Sequence, residues 1–274
     1  MRYTVTQRSL NVLNSLFARD ALAPGELLPS PQREDLLGVV ARTFAYLRPE
    51  LHNPERIPQG GVLLVGNHAL MGVDSMALYP LLVKHTGRLP RGLADRVLWR
   101  VPPLGRGLER IGAVPGEQDA AVDLLKAGEM VLVYPGGGPE SFKRPKDHYK
   151  LLWKERLGFI RVALRAQVPI VPIMAAGTDH AYRYLFHDKW IARRLTGRAR
   201  YDFPISVGIG LLPLPGKFTY TVGAPILPPG GPDLESDPTA LAAFHEQVWQ
   251  TSQAQLDATV AAWRAERGKT RRRT

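Results

Sequence analysis

Short apolar runs that end at glycine or proline alternate with longer segments of helical periodicity from about residue 60 onward. Residues 61–66, 131–134 and 170–174 are such runs, and their length and flanking residues predict strands buried in a sheet. Residues 71–84 and 151–167 lie between or beside them and have the spacing of amphipathic helices. This alternation predicts an α/β fold in which helices flank a mixed, largely buried sheet.

The remaining segments add elements on both sides of this core. Residues 205–212 and 218–222 are predicted as later strands, and residues 239–267 as a final helix followed by a basic tail. Residues 1–48 lack the strand pattern and repeat apolar residues at helical spacing instead. We therefore divide the chain into an N-terminal helical pair, residues 1–48, and an α/β domain, residues 49–274.

Charge limits the kinds of partner that the chain can have. There are 36 Lys and Arg against 25 Asp and Glu, and this net charge of +11 favours an anionic membrane surface or a phosphate-bearing molecule. No signature of nucleic-acid recognition accompanies the charge, so we expect no nucleic acid. The helical pair either packs as an ordinary hairpin or lies on a membrane with its apolar residues in lipid. Because the start lacks the pattern of a secretory signal, we expect a cytoplasmic protein, peripheral on the inner face of the membrane.

Several kinds of chemistry are excluded by missing residue types and motifs. The chain has no cysteine, which excludes a thiol nucleophile and a cysteine-held metal site. Neither Gly-x-Ser-x-Gly nor His-Glu-x-x-His occurs, so a serine-hydrolase elbow and a zinc-protease site are not predicted. We expect no metal and no resident cofactor.

His68 and Asp74 follow the first predicted strand and are the strongest candidates for catalysis. A histidine at a strand end is a natural general base, and a carboxylate can orient its ring and stabilise the protonated form. Six positions span about 600° on a regular helix, so the two side chains meet only if His68 lies in the turn before the helix, where Gly72 relaxes the backbone. The alternative is structural, with Asp74 or Ser75 as a helix cap and His68 as a loop residue.

A glycine-rich turn follows the second predicted strand. Its successive backbone N–H groups can hold an anion or an oxyanion. Glu140 is predicted to accept a hydrogen bond from an acceptor hydroxyl, and the cations after it to meet phosphates; the alternative is a tight turn with Glu140 as a helix cap. The turn after residues 170–174 is predicted to be structural. The candidate substrate contacts are Gly136, Gly137, Gly138, Glu140, Lys143 and Arg144.

Taken in order, four blocks of the chain resemble the lysophospholipid and glycerol-phosphate acyltransferase superfamily, over about residues 45–225. The resemblance implies that His68 deprotonates a lipid hydroxyl, that Asp74 orients the ring, and that the alkoxide attacks a thioester. The donor would be acyl-CoA or acyl carrier protein, used as a co-substrate. The blocks are Asn67-His68 with Asp74, Ile-Gly-Ala-Val-Pro-Gly at 111–116, Tyr-Pro-Gly-Gly-Gly-Pro-Glu at 134–140, and Ile-Val-Pro-Ile at 170–173.

Two departures from the family pattern bear on the acceptor. Five residues separate His68 from Asp74, where the family has four, and the third block has Pro-Gly-Gly with Glu140 displaced. Both departures resemble the branch that contains diacylglycerol acyltransferase-like and phytyl ester synthase-like proteins. The arginine that phosphate-binding members carry after the second block is also missing. The resemblance therefore favours a neutral lipid alcohol, or a lysolipid held through its chain, unless Arg106, Arg110 or Arg161 folds into the site.

Two other functions stay open on the residues alone. One is a lipid esterase or thioesterase, in which His68 activates water instead of a lipid hydroxyl. The other is a non-catalytic lipid-binding protein of the membrane surface. We expect an O-acyltransferase whose partners are an acyl thioester donor, a lipid acceptor and an anionic membrane.

Overall fold

The structure is a computed structural model that describes residues 30–100, 105, 107–109, 111–153, 156–188, 203–208 and 212–271. The first predicted N-terminal helix, around Leu10–Phe17, and the end of the basic tail lie outside these residues. The strands are β1 (Glu50–His52), β2 (Val62–Gly66), β3 (Arg91–Ala94), β4 (Val114–Pro115), β5 (Met130–Val133), β6 (Ile170–Ala176), β7 (Arg183–Asp188), β8 (Phe203–Val207) and β9 (Thr219–Val222). Helices α1 (Ser30–Thr43), α2 (Val73–Thr86), α3 (Gln118–Lys126), α4 (Gly137–Ser141), α5 (Gly158–Ala166) and α6 (Pro238–Arg271) accompany them.

The main sheet of the described chain has seven strands in the order β1-β9-β6-β2-β5-β3-β4. Its centre is parallel, since β2 pairs in parallel with both β5 and β6. The pairing of β6 with β9 is antiparallel, which makes the sheet mixed, as predicted. The predicted fold class, a mixed sheet flanked by helices, is confirmed.

Helices cover both faces of this sheet, which explains why its central strands are apolar along their whole length. All residues of β2 and β6 are buried. Leu63 and Val65 point into a cluster with α3, α5 and α6. Val62 and Leu64, on the alternate face, point into a second cluster with α2.

The second half of the predicted helical pair is α1, and it packs against the α/β domain. Leu36 and Leu37 are buried on this helix. Phe44 and Leu47, just after it, belong to the same hydrophobic cluster as α2 and β2. None of the helices in the described ranges is both long and apolar enough to cross a bilayer.

Two predicted elements have different bounds in the structure. The predicted helix 151–167 begins only at Gly158, because the backbone N–H groups of Leu151 and Leu152 are bound by the side chains of Gln253 and Glu140. Residues 205–207 of the predicted strand 205–212 belong to β8, and residues 209–211 lie outside the described residues. Strand β8 pairs with β7, which was not predicted, in a separate two-stranded sheet. The short strands β1, β3 and β4 and helix α3 were also not predicted.

Candidate active site

Three loops meet at one edge of the sheet, because β2, β5 and β6 run parallel and end there together. The loop after β2 carries His68, the segment after β5 carries Glu140, and the loop after β6 carries Asp179. The carboxyl edge of a parallel sheet is where α/β proteins place their binding sites. The turn after residues 170–174, which was predicted to be structural, therefore lies in the same cluster as the turns after β2 and β5.

His68 and Asp74 contact each other at this edge. Nδ1 of His68 lies 3.0 Å from Oδ2 of Asp74, and the side chains are 20% and 1% exposed, respectively. A short 3-10 turn, Leu70–Gly72, lets the chain turn back between them, and Gly72 has the left-handed φ of 65° that favours glycine. The capping alternative is wrong, because α2 begins without a side-chain cap and Asp74 lies inside its first turn.

Opposing effects set the pKa of His68. Burial of the imidazole lowers the pKa, whereas the charge of Asp74, its hydrogen bond to the ring and the charge of Glu140 raise it. Lys143 lowers it again, but the raising effects prevail, and the pKa lies above the ordinary value. With Nδ1 held by Asp74, Nε2 is the nitrogen that can take a proton from a substrate.

Tyr134 completes the surroundings of the imidazole. The two rings stack with their centroids 4.3 Å apart and 17° between their planes. The hydroxyl of Tyr134 accepts a hydrogen bond of 3.0 Å from Ser75 Oγ. Gly66 makes room for this arrangement, since a Cβ there would lie 3.0 Å from the Tyr134 ring. The sequence analysis missed Tyr134, although its position directly after β5 could have placed it at the sheet edge.

Asn67 fixes the end of β2 before the turn. Its Nδ2 donates to the carbonyl oxygen of Ala175 at 3.0 Å, and its Oδ1 accepts from the N–H of Ala175 at 2.7 Å. The buried amide side chain thus continues the pairing of β2 with β6 by one position. His68 therefore starts its turn from a rigid point.

Glu140 lies beneath the turn that carries His68. The residue has no exposed surface; Oε1 accepts from the N–H of His68 at 2.7 Å, and Oε2 accepts from the N–H of Leu152 at 2.8 Å. Burial raises the pKa of Glu140, against the opposing effects of Lys143 and the two backbone donors. Because both oxygens already have donors, this geometry gives no support to the predicted contact with an acceptor hydroxyl.

Lys143 is also buried. Its Nζ lies 2.9 Å from Oδ1 of Asp179, with both side chains 1% exposed, and it donates to the carbonyl oxygen of His68 at 3.2 Å. An ammonium that is buried and already paired does not support the predicted contact with a substrate phosphate. The sequence analysis missed Asp179, which has no motif around it that signals a buried partner for a lysine.

The other predicted substrate contacts remain predictions. Arg144 is exposed, and Gly136, Gly137 and Gly138 follow β5 closely. The N–H of Gly137 already donates to the carbonyl of Tyr134 at 2.9 Å.

The arginines considered for a phosphate are either outside the described residues or engaged elsewhere. Arg161 Nη1 lies 3.4 Å from Oε1 of Glu235, while Arg106 and Arg110 lie outside the described residues. Within the described ranges, no group of three or more His, Cys, Asp or Glu side chains is arranged to hold a metal ion.

Comparisons with known proteins identify the family that the chain resembles. Residues 48–176, which contain His68 and Asp74, match a protein-family model described as Acyltransferase. The chain is 32% identical over 188 residues to a Gallus gallus protein described as "DGAT1/2-independent enzyme synthesizing storage lipids", covering 69% of this chain and 54% of that protein. It is also 32% identical over 223 residues to an uncharacterized protein of Mycobacterium tuberculosis, covering 77% of this chain and 62% of that protein. The chain thus spans a little more than half the length of these relatives.

A solved structure shares the fold. The 1-acyl-sn-glycerophosphate (LPA) acyltransferase PlsC from Thermotoga maritima aligns with a TM-score of 0.52, over 90% of this chain and 88% of that one. The sequences are 21% identical, so this likeness concerns the fold.

Proposed function

The chain belongs to the acyltransferase superfamily through residues 48–176, and on this premise we propose that it transfers a fatty acyl group from a thioester to the hydroxyl group of a lipid. The observation that carries the proposal is the contact of 3.0 Å between His68 Nδ1 and Asp74 Oδ2 at the carboxyl edge of the sheet. The donor is acyl-CoA or an acyl carrier protein. The enzyme is an O-acyltransferase of lipid metabolism.

The proposed reaction proceeds in one transfer without a covalent enzyme intermediate. His68 Nε2 takes the proton of the acceptor hydroxyl, and the oxygen attacks the carbonyl carbon of the thioester. The tetrahedral intermediate collapses, the C–S bond breaks, and the thiolate receives the proton from the imidazolium. Asp74 stabilises the imidazolium while it exists. Direct attack suits a chain that has no cysteine and no serine-hydrolase elbow.

The acceptor is proposed to be a neutral lipid alcohol. A phosphate-bearing acceptor needs fixed cations beside the base, and arginine is the usual one. Lys143 is paired with Asp179, and Arg161 lies against Glu235. The Gallus gallus relative, whose name refers to storage lipids, supports the same choice.

A competition assay tests the reaction and the acceptor together. We expect the purified protein, given acyl-CoA or acyl-acyl carrier protein as donor, to acylate diacylglycerol or a long-chain alcohol at least about tenfold faster than lysophosphatidate or glycerol 3-phosphate. The reason is that a phosphate binds poorly where it has no charge partner, and a tenfold ratio corresponds to about 1.4 kcal/mol. The products are separated and identified by mass spectrometry. Faster acylation of the phosphate-bearing acceptors would contradict the proposed acceptor but not the transfer.

The same assay without any acceptor separates transfer from hydrolysis. Release of free fatty acid at the same rate with and without a lipid alcohol would identify an esterase or thioesterase and contradict the proposed function. No turnover with any donor would leave a lipid-binding protein as the better interpretation.

Membrane association is a further part of the proposal, and vesicle sedimentation tests it. We expect binding to vesicles with anionic lipid and weaker binding as salt rises, because exposed charges are screened beyond about 8 to 10 Å at 0.1–0.15 M salt. The net charge of +11 supports this expectation. A variant without residues 1–29 spares α1, whose Leu36 and Leu37 are buried, and we expect it to bind less. Equal binding to neutral and anionic vesicles at all salt concentrations would contradict the electrostatic part.

A further inference from the structure

The turn that carries His68 is held by side chains of one short segment, residues 140–143. Glu140 Oε1 accepts from the N–H of His68, and Lys143 Nζ donates to its carbonyl oxygen. Ser141 Oγ donates to the carbonyl oxygen of the next residue, Ala69, at 2.9 Å. Three backbone groups of the two consecutive residues His68 and Ala69 are thus bound by side chains from this segment, which we call the clamp.

The clamp consists of buried polar side chains, each of which has a hydrogen-bond or ion-pair partner. Glu140, Ser141 and Lys143 are all buried. Asp179 neutralises Lys143 and accepts from the N–H of Tyr149 at 2.7 Å through its other oxygen. Buried charges are costly unless paired and hydrogen-bonded, so such a network fixes one arrangement of the chain.

The position of Glu140 within this network explains the altered third block. A carboxylate has two acceptor oxygens, and here one holds the His68 turn while the other holds Leu152. A Cβ at residue 136 would collide with the carboxylate of Glu140, so Gly136 is required where the chain passes over it. The glycine at position 136 therefore lets the side chain of Glu140 lie under the turn that carries His68.

We propose that Glu140 is a positioning residue, which fixes the base His68 through its backbone N–H, and that the Lys143–Asp179 ion pair supports the same turn from the carbonyl side. This role rests on the proposed acyl transfer, in which His68 is the base. It replaces the predicted role of Glu140 and Lys143 as substrate contacts.

The variant Glu140→Gln tests the proposal with little change in shape. An amide has one acceptor oxygen, so its NH₂ group must face one of the two backbone donors, and one hydrogen bond is lost. We expect kcat to fall by about 10²-fold, because a displacement of 1 Å at a reacting group has this effect, while KM for the lipid acceptor stays within about threefold. We also expect faster hydrogen exchange in a peptide spanning residues 66–74 and unchanged exchange in peptides of α6.

A milder pair of variants covers the case in which Glu140→Gln does not fold. Ser141→Ala removes one clamp hydrogen bond, and we expect faster exchange in the same peptide and a smaller fall in kcat. Ser252→Ala is its matched control, since the hydroxyl of Ser252 is also buried but has no hydrogen-bond partner within the described residues. We expect this control to leave both the exchange and kcat unchanged.

Each outcome separates the clamp from its alternatives. Faster exchange throughout the protein would show a general loss of stability and overturn the proposal. A raised KM with unchanged exchange at residues 66–74 would overturn it in favour of substrate contact. Because exchange is measured without substrate, it decides whether the clamp exists even if the wild-type protein transfers no acyl group, which would refute the proposed function separately.

Discussion

The variant His68→Ala is expected to lose acyl transfer, with a fall in kcat of about 10³- to 10⁴-fold, because the proposed mechanism has no other group to take the proton. The imidazole is partly exposed, so its removal leaves a small gap at the protein surface and causes little loss of stability. Steady-state rates with acyl-CoA and a lipid alcohol measure the effect. Thermal unfolding of the same sample shows whether the fold is kept.

A matched control for this variant lies on the adjoining helix. His85 is exposed in the last turn of α2, and His85→Ala should transfer acyl groups at the wild-type rate. If His68→Ala kept more than about a tenth of the wild-type rate, general-base catalysis by this residue would be refuted.

The variant Asp74→Asn is expected to lower kcat by about 10²- to 10⁴-fold, since the amide neither holds the correct tautomer of His68 nor stabilises the imidazolium. It is also expected to shift the pH profile. His68 acts only when neutral, so the rate rises as the pH rises through its pKa. Asp74 raises this pKa against the lowering effect of burial, so the substitution lowers the pKa and moves the rising limb to lower pH.

The pH profile of kcat/KM, measured for both proteins over the stable range, decides this point. The neighbouring Ser75→Ala is the control for a change at the start of α2. It removes the hydrogen bond to Tyr134 and leaves the charge of Asp74 in place, so the rising limb should stay where it is. An unshifted limb in Asp74→Asn would show that Asp74 does not set the pKa of the catalytic group.

The central strands were predictable because burial on both faces demands apolar residues at every position. Residues 61–66 and 170–174 satisfy that demand, and β2 and β6 lie there. The segment before α5 was not predictable in the same way. Residues 151–167 carry apolar residues at helical spacing, and Leu151 and Trp153 are indeed buried, but the side chains of Gln253 and Glu140 bind the backbone N–H groups of 151 and 152. Partners so distant in sequence leave no local signal.

In the candidate site, too, some features follow from the local sequence and others depend on contacts that are distant along the chain. The contact of His68 with Asp74 could be predicted, because the spacing demanded a turn and Gly72 supplied it. The burial of Glu140 could not, because the direction of its side chain depends on where the loop after β2 lies above α4. Spacing along the chain identifies which residues are near the sheet edge, but it does not show which of them face the solvent.

The place of β9 in the sheet has a consequence for how the newly made protein reaches its native state. Among the strands that the structure describes, β9 is synthesised last, but it lies between β1 and β6, and Glu50 of β1 pairs with Thr219. Until β9 has left the ribosome, β1 has no strand of the sheet to pair with, and the edge of β6 that faces β9 has unpaired backbone groups. Pairing over such a separation is slow and leaves strand edges exposed to other chains meanwhile. The sheet is therefore completed only after residues 219–222 have been synthesised and β9 has inserted between β1 and β6.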